Sequence, residues 1–162
     1  MGTKKLKILL VCSGGGHFEQ MMKLREFYEE YEYEFVLPKH KVAEASNLQS
    51  AVVYAFPDIN EGRGIRYPWL LLYSFLRALW LVIIIRPKLI VSTGAGVAFP
   101  FFAVAWIVRI PSIYIESFAR IRAPSRSGRA CYRFASVFFV QHKELLNAYP
   151  KAKFSGCLYE NL

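Results

Sequence analysis

His17 is the residue best placed to do chemistry, because it ends the run Ser13-Gly14-Gly15-Gly16-His17. An apolar stretch, Leu6 to Val11, leads into this run, and a segment of helical pattern begins at Phe18. Glycines let a backbone approach a ligand closely, and the N–H groups of a helix's first turn have no partner within the helix. Strand, glycine turn and helix start together make an anion cradle. The histidine adds a titratable base. At a helix start the dipole disfavours the imidazolium, and a neutral imidazole accepts a proton from an attacking hydroxyl. A bound diphosphate would act in the opposite direction. Capping the helix or positioning the loop is the plainer alternative for the same residue.

Two further runs have the composition of site loops. Ser92-Thr93-Gly94-Ala95-Gly96 is a small-residue turn between a strand-like and a helix-like segment; beside the first loop, Thr93, Gly94 and Gly96 would form a second wall for the same anion. It also reads as an ordinary tight turn. Glu116 ends an apolar run, a place where a carboxylate often faces a ligand such as a sugar hydroxyl; pairing with Arg120 or Arg122 is the alternative. Arg120, Arg122, Arg126, Arg129 and Arg133 follow with no acidic residue among them. Guanidinium forks suit phosphate, whether of a ligand or of a lipid surface, and a solvated face is the alternative.

The common soluble phosphate ligands fit poorly. Glu19 stands where a dinucleotide fingerprint needs its third glycine, and Pro38-Lys39 stand where an acid would hold the ribose. The lysine of a P-loop is missing. The cysteines Cys12, Cys131 and Cys157 form neither a metal spacing nor a disulfide framework, so the expectation is a reducing cytoplasm with no metal and no cofactor.

The elements that must position these residues alternate. Strands are expected over residues 7–12, 34–37, 51–56, 89–92, 112–115, 137–141 and 153–156, and helices over 18–31, 41–49, 68–85, 97–108, 127–134 and 143–148. This predicts an α/β fold, a Rossmann-like parallel sheet with helices on both faces. Such sheets bind ligands at the carboxyl ends of their strands, and all three loops follow strand ends, so they should share one edge. At 162 residues the chain suits a single domain.

Composition places that domain at a membrane. A net charge of +9 accompanies 54% hydrophobic and 16% aromatic residues, a pairing that favours an anionic lipid surface over nucleic acid. Disorder is excluded. Lys4, Lys5 and Lys7 precede an apolar run too short for a signal peptide. The stretch from Trp69 to Ile85 carries Trp69, Tyr73, Arg77 and Trp80, with Arg63 and Arg66 before it and Arg86 and Lys88 after. It is short of the ~20 apolar residues of a spanning helix and contains an arginine. The leading reading is a helix that packs on the sheet by one face and enters the membrane interface by the other, with Trp69, Tyr73, Arg77 and Trp80 as contacts. A fully buried helix and a spanning one are the alternatives.

Taken in order, Ser13-Gly14-Gly15-Gly16-His17, Val91-Ser92-Thr93-Gly94-Ala95-Gly96-Val97, Ile113-Tyr114-Ile115-Glu116-Ser117-Phe118-Ala119-Arg120 and Phe138-Phe139-Val140-Gln141 resemble the acceptor-side, membrane-docking subunit of bipartite glycosyltransferases. That family includes the anchor subunit of the dolichol-linked N-acetylglucosaminyltransferase and bacterial exopolysaccharide and capsule proteins. The resemblance implies the N-terminal half of a GT-B glycosyltransferase, a polyprenyl-diphosphate-linked sugar acceptor, and a heterodimer whose other subunit brings the UDP-sugar. It places the protein at the cytoplasmic face of the cell membrane, peripheral or monotopic. By motif, Gly14, Gly15 and Gly16 would cradle the acceptor diphosphate, with Thr93, Gly94, Gly96 and Arg120 nearby; His17 would be the general base, and Glu116 would contact the acceptor sugar. A non-catalytic scaffold that recruits the catalytic partner, and a stand-alone nucleotide-binding protein, remain as alternatives.

Overall fold

A computed structural model describes residues 5–45, 52–58 and 67–159. Arg63, Arg66, Lys4, Ala51 and the later part of the helix expected over 41–49 lie outside them.

Seven parallel strands form one sheet: β1 (Lys7–Cys12), β2 (Glu32–Pro38), β3 (Val52–Phe56), β4 (Leu89–Gly94), β5 (Ser112–Ile115), β6 (Val137–Val140) and β7 (Lys153–Phe154). Their spatial order is β3-β2-β1-β4-β5-β6-β7. The order reverses between β1 and β4, so the crevice for a ligand opens at the carboxyl ends of those two strands. The central strands are nearly continuous runs of buried apolar residues, as a sheet covered on both faces requires. One core packs Leu9, Val11, Ile90, Phe101 and Phe102 against the helices of one face; the other packs Ile8, Leu10, Met21, Tyr28 and Phe35.

The helices differ from the expected set in informative ways. The single helix expected over 18–31 is two, α1 (Gly16–Met22) and α2 (Arg25–Tyr28). At the break the Leu24 N–H bonds three residues back, to the Met21 carbonyl at 3.1 Å, which tightens the turn and carries Tyr28 into the core. Residues Lys39–Ala45 form a 3-10 helix where an α-helix was expected to begin at Lys41, and Lys143–Asn147 is likewise 3-10. The helix α5 (Arg126–Cys131) starts one residue earlier than expected, capped by the Ser125 hydroxyl, which accepts the Gly128 N–H at 2.8 Å, and it ends three residues sooner, at Cys131.

Helices α3 (Tyr67–Ile85) and α4 (Ala98–Val108) lie together on one face of the sheet. By length and composition α3 could cross a membrane. Its buried residues are Ser74, Ala78, Leu81, Val82 and Ile85, steps of three and four that define a single stripe against the core. The reading of a fully buried helix does not hold: Trp69 is 71% exposed, and Leu72, Tyr73, Leu76, Trp80, Ile83 and Ile84 are exposed with it. On α4, Trp106, Ile107 and Val108 extend the same kind of surface. Arg77 is turned away from this use, donating from its guanidinium to the Ala55 carbonyl of β3 at 2.8 Å. Both helices end on a left-handed arginine, Arg86 (φ 53°) and Arg109 (φ 59°), and Pro87 follows the first directly.

Candidate functional site

Three loops meet at the switch point, as their positions after strand ends led us to expect. Residues of the first two are tied directly: the Ser13 N–H donates to the Gly94 carbonyl at 2.9 Å. The pairing of β1 with β4 slips after Val11, which faces Ser92, so that Cys12 faces Gly94 and Thr93 is the extra residue. Bulges of this kind re-aim a group beside a site. Here the Thr93 carbonyl points at His17 Nδ1, 2.6 Å away, and the Thr93 hydroxyl donates to the His17 carbonyl at 2.7 Å.

That contact determines the imidazole's tautomer. A carbonyl oxygen only accepts, so Nδ1 carries the hydrogen and Nε2 keeps the lone pair in the neutral ring. Burial pushes the His17 pKa below its ordinary value; the Thr93 carbonyl and Glu116 oppose that push, and Arg120 adds to it. Near neutral pH the ring is therefore a free base. Gly94 makes room for it. With φ at +101°, a Cβ at Gly94 would lie 2.9 Å from His17 Cε1 and 3.0 Å from Nδ1. The ring packs on a backbone that only glycine supplies.

Thr93 and Gly94, expected among the anion donors, are committed elsewhere. Both are buried, the Thr93 hydroxyl is spent on His17, and the Gly94 N–H donates to Ser92 Oγ at 3.0 Å. Ala95 and Gly96 are the half-exposed part of that loop. Gly15 and Gly16 are exposed at the mouth of the first, and Gly15 takes φ +65° with open space where a Cβ would point. Arg120 is exposed at the same edge, close enough to act on His17; Arg122, Arg126, Arg129 and Arg133 are exposed as well, the last past the end of α5 on the way to β6.

Glu116 occupies a different position from the one its sequence context suggests. It is fully buried, and its carboxylate accepts from the Ser117 N–H (2.9 Å), the Ser125 hydroxyl (2.8 Å), the Ser125 N–H (3.2 Å) and the Tyr149 hydroxyl (2.8 Å). Neither Arg120 nor Arg122 pairs with it. A sugar contact would require this network to open; as built, Glu116 braces the cap of α5 and the loop that carries Arg120. Burial and the adjacent carboxylate push the Tyr149 pKa far up, so it remains a donor.

Two groups of site residues had no role assigned from the sequence, although Gln141 ends one of the four motifs. Gln20 donates to the Gly16 carbonyl at 3.1 Å and accepts from the Phe118 N–H at 3.0 Å and from Gln141 at 2.7 Å; Gln141 also holds the Glu116 carbonyl at 2.9 Å. Two buried amides thus lock the first loop to the third. Glu44, on the 3-10 helix after β2, reaches the Gly15 N–H at 2.7 Å and pairs with Lys41 at 2.7 Å. The nearest charged donor and the Gly15 N–H hold its carboxyl below the usual range. A carboxylate of the chain itself thus occupies this N–H of the glycine loop. Among the described residues no cluster of His, Cys, Asp and Glu could hold a metal ion.

A parallel seven-stranded sheet with its site at the β1/β4 switch point is one half of a GT-B-like fold. Acinetobacter baumannii MurG superposes with a TM-score of 0.77 at 14% identity, over 94% of this chain and 45% of that one. UDP-GlcNAc 2-epimerase from Methanocaldococcus jannaschii gives 0.68 at 11% identity, over 90% of this chain and 42% of that one. The chain spans under half the length of either structure. It belongs to the family described as oligosaccharide biosynthesis protein Alg14 like, whose model matches residues 8–158. Among curated relatives, the UDP-N-acetylglucosamine transferase subunit ALG14 of Mus musculus is 25% identical over 94% of this chain and 83% of its own length. The subunit of that name from Yarrowia lipolytica is 27% identical over 94% and 81%.

Proposed function

We propose that this chain is the acceptor-side subunit of a two-chain glycosyltransferase, holding a polyprenyl-diphosphate-linked sugar at the cytoplasmic face of a membrane while a separate subunit brings the UDP-sugar. The observation that carries the reading is His17: a neutral imidazole, oriented by the Thr93 carbonyl, with Nε2 free at the mouth of a glycine loop. The relatives' description as transferase subunits and the half-sized fold support a partner in trans. N-acetylglucosamine, named in those relatives, is the first donor sugar to test.

Gly14, Gly15 and Gly16 face the acceptor diphosphate, with Arg120 and the Gly96 segment at the rim. The acceptor hydroxyl attacks the anomeric carbon of the donor sugar. The new bond forms from that oxygen to the anomeric carbon as the bond from this carbon to the UDP oxygen breaks, and UDP leaves with the electron pair. His17 Nε2 takes the hydroxyl proton. Glu116, Gln20 and Gln141 act as positioning residues that keep the first and third loops in register. The exposed apolar face of α3 and α4 sets the site against the bilayer, where a lipid-linked substrate is found.

The test is transfer of a labelled sugar from UDP-GlcNAc to a prenyl-diphosphate-linked N-acetylglucosamine acceptor by the chain assembled with its partner subunit. His17→Gln should lower kcat by about 10²- to 10⁴-fold while the complex still assembles. Full turnover in an assembled His17→Gln complex would leave the chain as a scaffold for the partner's chemistry.

A further inference from the structure

A cavity of about 250 Å³ lies between α3 and α4, lined by Leu71, Leu72, Phe75, Phe99 and Pro100. Every one of these side chains is apolar. The cavity's place in the fold gives it meaning. Helix α3 leaves the carboxyl edge after β3, and α4 leaves the same edge after β4, so the first halves of both helices stand beside the site loops. The first turn of α4 is tied to the second loop: the Ala98 N–H donates to the Ala95 carbonyl and the Phe99 N–H to the Gly96 carbonyl, each at 3.2 Å. At 1.5 Å per residue Pro100 stands only about 6 Å along the helix from Gly96. At its other side the cavity reaches Leu72, which is 50% exposed beside Trp69, Tyr73 and Leu76 on the membrane-facing surface.

An apolar cavity thus begins one helical turn from the candidate diphosphate edge and opens toward the apolar face. A ligand that continues from a diphosphate directly into a hydrocarbon chain matches both ends. We propose that Leu71, Leu72, Phe75, Phe99 and Pro100 seat the isoprene units nearest the diphosphate of the lipid-linked acceptor, an assignment that rests on the glycine-loop reading above. At this volume the cavity is smaller than the roughly 300–1,000 Å³ that encloses a drug-sized molecule, so it grips the proximal chain and leaves the rest in the bilayer. Three ring-bearing residues, Phe75, Phe99 and Pro100, and the branched leucines offer a surface suited to a methyl-branched chain rather than a straight one.

The experiment uses the assembled two-subunit complex in detergent, which removes bilayer docking from the readout. Three diphosphate-linked N-acetylglucosamine acceptors are compared: a short soluble chain, a prenyl chain and a linear alkyl chain of the same length as the prenyl. The variant is Leu72→Trp, which fills the cavity from an exposed position. The wild type should prefer the prenyl acceptor over the linear one. Leu72→Trp should raise KM for the prenyl acceptor by about tenfold, the equivalent of losing the burial of roughly two methylene groups, and abolish that preference. KM for UDP-GlcNAc and turnover of the short acceptor should not change. An unchanged prenyl KM in the variant, an equal loss with the short acceptor, or equal wild-type KM values for prenyl and linear chains would overturn the assignment. Leu72→Trp is also sedimented with liposomes: loss of liposome binding with an unchanged prenyl KM in detergent would give the cavity to a bilayer acyl chain. The short acceptor separates the two claims. Its turnover, and the effect on it of His17→Gln, report on the glycine loop alone.

Discussion

The His17 ring nitrogen Nδ1 and the Thr93 carbonyl lie 2.6 Å apart, and the Thr93 hydroxyl returns to the His17 carbonyl at 2.7 Å. This reciprocal pair joins the two loops of the switch point through one imidazole, and it leaves Nε2 as the only ring atom able to accept a proton. Burial lowers the His17 pKa. The activity of the assembled enzyme should therefore hold as pH falls through the ordinary imidazole value of ~6.5 and decline only below it. The sign is the same for stability. A depressed folded-state pKa contributes stability above the unfolded value, and that contribution is lost as pH falls toward the folded one. A kcat/KM profile measured from acid to neutral pH checks it; an acid limb centred above the ordinary value would mean that His17 is not the titrating base.

Gly94 and Gly15 both take positive φ, at +101° and +65°, yet a side chain would meet different surroundings at each. At Gly94 a Cβ would press on the His17 ring, and at Gly15 it would meet nothing within 4 Å. Gly94→Ala should cost about 1–3 kcal/mol of stability and displace the imidazole. Gly15, with ψ at −137°, lies in a positive-φ region that suits glycine, so Gly15→Ala should cost about 1–3 kcal/mol from the backbone alone. Thermal melts should show the two variants destabilised to a similar degree, while transfer assays show the larger fall in kcat at Gly94→Ala.

The order and period of the elements were readable from residue types because the parallel strands are continuous apolar runs and the loops between them are rich in glycine. The convergence of the loops at 14–17, 92–96 and 116–122 followed from topology alone. What individual side chains do there was not readable. Glu116 has the local context of a ligand contact, but Tyr149, 33 residues away, and Ser125 close around it. Thr93 has the composition of a phosphate loop, and only the slip in the β1/β4 register shows that its carbonyl and hydroxyl serve His17. Gln20 and Gln141 are 121 residues apart and meet only in the fold. Long-range polar pairing carries no local period, so no pattern along the chain announces it.

The aromatic residues of α3 provide the test of membrane contact. Trp69, Tyr73 and Trp80 are 71%, 54% and 53% exposed, on the opposite side of the helix from Ala78 and Leu81. Replacing all three with serine removes apolar surface that water already touches in the free protein, so the fold should survive: far-UV circular dichroism should be unchanged. On the proposed membrane contact, sedimentation with anionic liposomes should be lost, because these rings supply the apolar surface that would be buried at the interface. Loss of secondary structure with the triple variant would return these rings to the core. Salt should weaken wild-type binding only in part, since the arginines near the site contribute a screened attraction.

Glu44 makes a prediction of the opposite sign to the usual loss on mutation. Its carboxylate occupies the Gly15 N–H at 2.7 Å, and Lys41 holds it there. An acceptor diphosphate that uses the same N–H must displace this carboxylate and then remain near its charge. Because the Glu44 pKa is lowered, the group stays ionised across the pH range in which His17 is a free base. Glu44→Gln keeps the shape and removes the charge. The acceptor KM should then fall by a few-fold, in line with the roughly 0.3–1 kcal/mol of a screened charge near a helix start, with kcat little changed. The gain should shrink as ionic strength rises. Lys41→Met, which leaves the Glu44 charge uncompensated beside the same N–H, should move the acceptor KM the opposite way, upward. A rise in acceptor KM with Glu44→Gln would show instead that Glu44 orients the glycine loop for the ligand rather than competing with it.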